Sequence, residues 1–434
     1  MHQEDSAGAT AGAAAMYSLL SGAGSDLLDR LAGESITPDR ALTLSAELRA
    51  DYPADLVAAA LTQQALRTAG RAKFSHASQM LFTRAGLEQA SSELTARHAA
   101  ARFAGARVVA DLCCGIGGDL VALAAATADF CQNVDPPQPE LLAGDHVLKD
   151  GHHHGGPRYV IGVDVDLASL EFARHNVAVC APSARAGFIC ADVRQLSLSG
   201  LDAVFIDPAR RDGQGRLPSG RYQPPLSWCL RLADAVPGVG IKAAPGIRRD
   251  LVPPGWETEF VAIGRDLKEA LLWSPGLAGA GVTSRATILP AGDTLTSSAT
   301  APPQPPVPLA PPGAYLLDPS PAVTRAGLVA DLARRLGAWQ IDPMIAFLSS
   351  DEPVRTPFAR TLRVLESAPW HEKRFARRLR DLGIGSADIR RRGLAGDVTQ
   401  IHRRLGLRGP GSATIVMTRM QDRPWGLICQ PIPT

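Results

Sequence analysis

The sequence predicts an α/β fold built on an open parallel sheet, and three observations carry that prediction. Val108 to Leu112 is a short apolar, β-branched run, followed by glycines at 115, 117 and 118 and then by a helical apolar stretch from Asp119 to Ala126. Three later apolar runs, Tyr159 to Asp164, Gly187 to Asp192 and Leu201 to Asp207, also end on a carboxylate. After Asp164, the spacing of Leu167, Leu170, Phe172 and Ala173 has the 3.6-residue period of a helix, as expected when strands alternate with crossover helices.

The first unit reads as strand, tight turn, helix. Glycine tolerates backbone torsions that other residues resist, and a helix N-terminus presents unpaired N–H donors. The pattern is neither G-x-G-x-x-G nor G-x-x-x-x-G-K-[ST], so a pyrophosphate cradle and a P-loop are both unsupported. Asp164, at a strand end, can accept hydrogen bonds from two ribose hydroxyls, and Asp166 competes for that role. Any one of these carboxylates can also serve as a turn former or helix cap. Four polar strand ends in succession point to a ligand site outside the carboxyl edge of the sheet.

Length and composition set the frame. At 434 residues the chain has room for two or three domains, and 45% hydrophobic content with a mean hydropathy near zero describes an ordinary soluble protein. No window holds 18 uninterrupted apolar residues, and Met-His-Gln-Glu-Asp-Ser lacks the basic start of a signal peptide. A cytoplasmic protein with no membrane partner is expected. Seven scattered cysteines fit reduced thiols, and the adjacent pair Cys113-Cys114 is no zinc knuckle, so no metal is expected.

From the N-terminus, Ser18 to Gly70 shows helical apolar spacing, with Pro38 after Thr37 marking a helix start. Phe74 to Ser92 leads into a helix expected over Glu88 to Phe103, with Thr83, Glu88 and Gln89 as candidates to line the site or simply to cap and flank that helix. Residues 129–158 form an insertion containing His152-His-His154; consecutive histidines cannot all face one ion, and a solvated loop is expected. Ala209 to Pro225 is a loop with Arg210, Arg211, Arg216 and Arg221 against one carboxylate, Asp212, a composition suited to phosphate or to plain solvation. Val236 to Ala244, with Lys242, reads as a fifth strand, and Glu257 to Ile263 and Arg285 to Leu289 as further strands. Asp293 to Gly313 reads as a linker, with seven prolines between 302 and 312 making an extended spacer. Beyond it come helix Ala322 to Leu336, apolar run Met344 to Leu348, strand Thr361 to Leu365, helix His371 to Leu382, strand Asp388 to Arg392, helix Asp397 to Leu405, and strands Ala413 to Met417 and Gly426 to Gln430. From Trp370 to Thr434 there are 13 Lys+Arg against 5 Asp+Glu, while the whole chain carries only +2. Clusters such as Arg390-Arg391-Arg392 give a positive face suited to a phosphate backbone, or a merely solvated one.

The four strand-end motifs together resemble those of class I S-adenosylmethionine-dependent methyltransferases. Asp111-Leu-Cys-Cys-Gly115-Ile-Gly117-Gly118 is similar to the first motif, Val163-Asp164 to the ribose-binding motif, Asp192-Val193 to the adenine-contacting motif, and Asp207-Pro208-Ala209-Arg210 to the fourth motif, beside the methyl donor and target atom. The likeness covers roughly residues 74 to 290, and D-x-x-C-G-x-G-G followed by D-P also resembles the trimethylguanosine synthase branch, although Ala209-Arg210 stands where that branch has Pro and an aromatic. Residues 314–434, notably Arg390-Arg-Arg-Gly393 and Leu405-Gly-Leu-Arg408-Gly409, resemble a THUMP-like domain.

The resemblance implies a Rossmann-like seven-stranded methyltransferase sheet ending in a reversed hairpin. An N-terminal helical region (15–105), a catalytic domain (106–292), a Pro-rich linker (293–313) and a basic α+β THUMP-like domain (314–434) complete the expected layout. It implies S-adenosylmethionine as cofactor, held by Asp111, Cys113, Gly115, Gly117, Asp164, Asp192 and Val193. Asp207, Pro208 and Arg210 would stand at the reacting centre, with Arg211, Arg216, Arg221, Arg390, Arg391 and Arg392 on RNA. The implied activity is methylation of a base in structured RNA, tRNA or rRNA. A methyltransferase of a small molecule or protein, and a non-catalytic RNA-binding protein, stay open. Cys229 sits in the apolar stretch Leu226 to Leu232, where burial is a simpler role than nucleophile.

Overall fold

From Val108 to Ala243, short apolar runs form strands in the order the sequence predicts, while other parts of the chain depart from it. The computed structural model describes residues 17–132, 158–209, 211–212, 215–216, 222–298, 304–394 and 397–432. The chain divides into two units, Met1–Ala243 with Leu272–Leu277, and Ala244–Leu271 with Ala278–Thr434.

In the first unit, helices α1 (Gly22–Arg30), α2 (Pro38–Leu48) and α3 (Ala54–Gly70) form an N-terminal layer. Thr37 caps α2, with Pro38 at its first position. The helix expected over 88–103 is broken instead into α4 (Arg84–Gln89), α5 (Glu93–Ala100) and a 3₁₀ turn. The break has a local cause: Ser92 starts a new helix by accepting the Thr95 N–H at 3.3 Å. Then follow β1 (Val108–Leu112), α6 (Gly118–Gln132), β2 (Tyr159–Asp164), α7 (Leu167–Cys180), β3 (Ala186–Cys190), β4 (Ala203–Ile206), α8 (Leu226–Arg231) and β5 (Gly238–Ala243). The strands are parallel in the order β5-β4-β1-β2-β3. Chain direction across the sheet reverses between β1 and β4, so the crevice at their carboxyl ends is the topological switch point where ligands bind in such sheets.

The helical layer is locked to the sheet by side chains that satisfy backbone groups. Asn176 of α7, fully buried, accepts the Leu81 N–H at 2.7 Å and donates to the carbonyls of Leu81 and Ile116, both at 2.9 Å. Gln63 and Arg67 of α3 hold the carbonyls of Phe82 and Met80. Phe82, Ile116 and Phe172 share one apolar cluster with α1 to α3.

The second unit contains β6 (Glu257–Ile263), β7 (Asp266–Trp273, its last two residues in the first unit), β8 (Val282–Leu289) and β9 (Asp293–Ser298), in the order β9-β8-β6-β7. Among the described residues, 106–298 thus form nine strands longer than two residues, where the resemblance implies seven. Asp293–Ser298, expected to begin the linker, is a strand because Thr294, Leu295 and Thr296 alternate in register with β8. The described part of the Pro-rich stretch, residues 304–312, is likewise no free spacer: Gln340 donates to the Pro308 carbonyl at 2.9 Å, Trp339 Nε1 to Pro311 at 2.9 Å and Arg334 Nε to Pro305 at 3.0 Å.

The rest of this unit is β10 (Tyr315–Pro319), α9 (Pro321–Ala326), α10 (Val329–Leu336), β11 (Trp339–Gln340), β12 (Leu348–Ser350), β13 (Ala359–Pro369), α11 (Glu372–Asp381), β14 (Ile384–Arg391), α12 (Val398–Leu405), β15 (Gly411–Met420) and β16 (Arg423–Pro431). The helix expected over 322–336 is two, because Gly327 takes a left-handed φ of 68° and ends the first. The second sheet runs β11-β12-β10-β13-β16-β15-β14, and α11 and α12 bury Phe375, Leu379, Ile401 and Leu405 in one cluster with Ile415 and Ile428.

Candidate active site

A cavity of about 670 Å³ opens at the carboxyl ends of β1, β2, β3 and β4. That volume falls within the range of small-molecule and cofactor sites. It gathers Asp111, Cys113, Gly115, Asp164, Asp192, Val193, Asp207 and Pro208 in one place, together with Glu88 and Gln89 of α4. Thr83 caps α4, its hydroxyl accepting the Gly86 N–H at 2.8 Å. Gly117 does not line the cavity: with φ at 84° it turns the chain into α6, and a Cβ there would lie 3.1 Å from Ala173 of α7. Arg210, Arg211, Arg216 and Arg221 are the expected phosphate contacts; as side chains they lie outside the described residues, as do His152 to His154.

The loop after β1 is shaped for close approach of a ligand. Gly115 has φ at 53°, and a Cβ at this position would meet no protein atom within 4 Å. Cys113 also has a left-handed φ, 62°, without glycine's freedom. Asp164 joins this loop to the end of β2: its Oδ2 accepts the Gly115 N–H at 2.8 Å and its Oδ1 the Asp166 N–H at 2.9 Å. Asp166 is spent as the cap of α7, accepting from Ala168 and Ser169, so Asp164 is the carboxylate that faces the cavity. Asp192 is clasped by Arg194, whose Nη2 lies 2.6 Å from Oδ2, and that contact pulls its carboxyl down to about 2.

The floor of the cavity holds a charge network. Lys242 of β5, buried, donates from Nζ to Ser91 Oγ at 2.6 Å, Asp119 Oδ2 at 2.5 Å and Asp207 Oδ2 at 2.8 Å. Asp111 is 1% exposed, and its Oδ2, like Asp119 Oδ1, has no hydrogen-bond partner. Burial, then the neighbouring Asp119, pushes the Asp111 carboxyl well above its ordinary range. Burial likewise raises the thiols of Cys113 and Cys114, which therefore stay protonated, and lifts Cys229 to about 12 while it packs behind the site. Ser91, Asp119 and Lys242 are the members of this network that sequence reasoning did not assign to the site. The available signal was Lys242, a cation inside the otherwise apolar run Val239 to Ala243.

Comparison with known proteins places this geometry. The chain is 38% identical over 352 residues to S-adenosylmethionine-dependent methyltransferases, themselves uncharacterized, of Mycobacterium tuberculosis strains CDC 1551 / Oshkosh and H37Rv, covering 79% of this chain and 86% of theirs. It belongs to the S-adenosylmethionine-dependent methyltransferases. A crystal structure of a Porphyromonas gingivalis W83 protein designated a methyltransferase shares the fold, with a TM-score of 0.69 at 18% identity, covering 92% of this chain and all of that one. A THUMP domain-like family model matches residues 359–431, and a domain of unknown function (DUF8688) matches residues 13–70.

S-adenosylmethionine is the cofactor of this methyltransferase, and the cavity suits it. The open side of Gly115 leaves room beside the main chain, Asp164 stands at the end of β2, and the unpartnered Oδ1 of Asp119 offers an acceptor to a cationic ligand. Among the described residues no group of three or more His, Cys, Asp or Glu side chains is placed to hold a metal, and no helix is long and apolar enough to cross a membrane.

Proposed function

We propose that this methyltransferase modifies a base in structured RNA, tRNA or rRNA, with catalysis in residues 106–292 and RNA affinity from residues 314–434. The observation that carries the RNA reading is the segregation of charge. Helices α11 and α12 turn Phe375, Leu379, Ile401 and Leu405 inward and leave Lys373, Arg374, Arg377, Arg380, Arg403 and Arg404 exposed, within the stretch that matches the THUMP domain-like model. Such a face attracts a phosphate backbone without reading sequence, and its binding weakens steeply with salt.

When bound, S-adenosylmethionine supplies a methyl group on a sulfonium, ready for a nucleophile. The residues then have positional work. Asp164, fixed by two backbone N–H groups, accepts the ribose hydroxyls; Val193 and the backbone beside Asp192 flank the adenine; the loop at Cys113 and Gly115 admits the ligand against the main chain. Asp207 holds the acceptor by a hydrogen bond beside Pro208, its carboxylate oriented by Lys242. Arg210, Arg211, Arg216 and Arg221 grip substrate phosphate, and Arg390 and Arg391 contribute on the second unit. Arg392 has a structural share as well: its Nη2 is 2.9 Å from Asp318 Oδ1.

The test is transfer of tritiated methyl from S-adenosylmethionine into total RNA of a strain lacking the protein, beside wild-type RNA, protein and small-molecule fractions. Label is expected in the deletion-strain RNA alone, and Asp207→Asn should lower its rate with cofactor affinity retained. Label in only the protein or small-molecule fraction would overturn the RNA reading.

A further inference from the structure

A second cavity, of about 720 Å³, lies wholly within the second unit and shares no lining residue with the first. Its wall carries four guanidiniums, those of Arg265, Arg390, Arg391 and Arg392, against two carboxylates, Asp266 and Asp318. Asp318 at the end of β10 is buried, and both its oxygens are engaged: Oδ2 accepts from Arg265 Nη2 at 2.6 Å, Oδ1 from Arg392 Nη2 at 2.9 Å. Asp266 is held by Lys268 at 2.5 Å. Just outside, Asp388 is also divided between two arginines, Arg390 at 2.9 Å and Arg360 at 3.4 Å.

Positive charge therefore exceeds negative in a partly enclosed space. Burial lowers the Arg265 guanidinium from its ordinary value, and the nearby Arg390, Arg360 and Arg392 push the same way against the opposing pull of Asp318. Each guanidinium carries five N–H donors, and the Asp318 side chain and carbonyl together engage only the two terminal nitrogens of Arg265. Planar forks of this kind match the oxygens of a phosphate in two-point contacts. Among the lining side chains guanidiniums outnumber carboxylates four to two, a balance that favours an anionic ligand. The cavity is far larger than a phosphate, and Ile263 and Ile389 give it an apolar side for the group that the phosphate carries.

We propose that this cavity binds the terminal phosphate of a nucleotide, with Arg265 and Arg390 as anion contacts and Asp318 as the residue that holds Arg265 and Arg392 in position. The phosphate can come from an RNA end or from a free nucleotide. The site does not require RNA to be the methyl acceptor.

The test is calorimetric titration of the full-length protein with the first cavity saturated by S-adenosylhomocysteine. The probes are uridine 5′-monophosphate, uridine, and a twelve-nucleotide RNA with either a 5′-phosphate or a 5′-hydroxyl. Uridine monophosphate should bind at least roughly tenfold more tightly than uridine, the scale of a lost charge-assisted pair. Arg390→Gln, at a half-exposed side chain outside the buried pair, should remove most of that preference, and Arg265→Lys, which keeps the charge beside Asp318 but loses the fork, should also weaken it. A preference for phosphorylated RNA over the mononucleotide assigns the site to RNA ends, and the reverse assigns it to free nucleotide. Equal binding of uridine and its monophosphate, or no response to either substitution, overturns the proposal. If the two RNAs then still bind equally well, the RNA methylation reading survives. If the mononucleotide binds and neither RNA does, the phosphate site stands and the RNA reading falls.

Discussion

Replacing Lys242 by Met should strongly destabilise the first unit. The Nζ atom lies 2.5 Å from Asp119 and 2.8 Å from Asp207, in a side chain only 3% exposed. At an effective dielectric near 20, each such contact is worth about 6 kcal/mol of direct attraction, most of it offset by the cost of desolvating three ions. What the substitution exposes is the unpaired remainder: Asp119 and Asp207 face each other near Asp111 with no cation between them. Breaking a buried pair from one side costs roughly 3–5 kcal/mol.

Scanning calorimetry reads this directly, because S-adenosylmethionine raises only the transition of the unit that binds it and so identifies that transition. For a unit of this size the transition should fall by roughly 6–20 °C. Adding Asp119→Asn to Lys242→Met should recover part of the loss, so that the two substitutions couple by about 2 kcal/mol or more. A Lys242→Met protein within 1 kcal/mol of wild type, or strict additivity with Asp119→Asn, would refute the network as the support of the cavity floor.

Four further outcomes follow from named contacts. Asn176→Leu strands the Leu81 N–H and the carbonyls of Leu81 and Ile116, so the first unit should lose about 3 kcal/mol in chemical denaturation; a loss below 1 kcal/mol would mean water replaces the amide. Cys113→Gly removes the cost of a left-handed residue, about 1–2 kcal/mol, against a chain-entropy penalty of up to about 1 kcal/mol, so the transition should hold or rise by a few degrees, and a clear fall would show that the thiol packs more than it strains. Burial raises the Asp164 carboxyl, so cofactor affinity should decline on acidification from a higher pH than an ordinary carboxylate would give; calorimetric affinities for Asp164→Asn should be weaker and flat across that window. Asp111 in the folded chain keeps a proton that the unfolded chain gives up near about pH 4, so stability should fall as pH rises from there through its raised pKa, and Asp111→Asn should remove that slope.

What the sequence discloses and what it hides divide along contact range. Val108–Leu112 and Tyr159–Asp164 are strands over the very residues expected, because β-branched runs, glycine turns and strand-end carboxylates are written locally. The site's perimeter was equally legible, since each motif closes its own strand. Proline content misled in the opposite sense: residues 304–312 look like a spacer by composition, yet their carbonyls are taken up by Arg334, Trp339 and Gln340 from a later part of the chain. The floor of the cavity belongs to the same class. Lys242 meets Ser91 across 151 positions and Asp119 across 123. Nothing near Lys242 in sequence announces its partners; only the parallel order β5-β4-β1, with α6 rising from the end of β1, brings them together. Arg265 and Asp318 meet in the same way across 53 positions. A buried cation in an apolar strand is thus a signal that a long-range carboxylate exists, and the fold is needed to say which one.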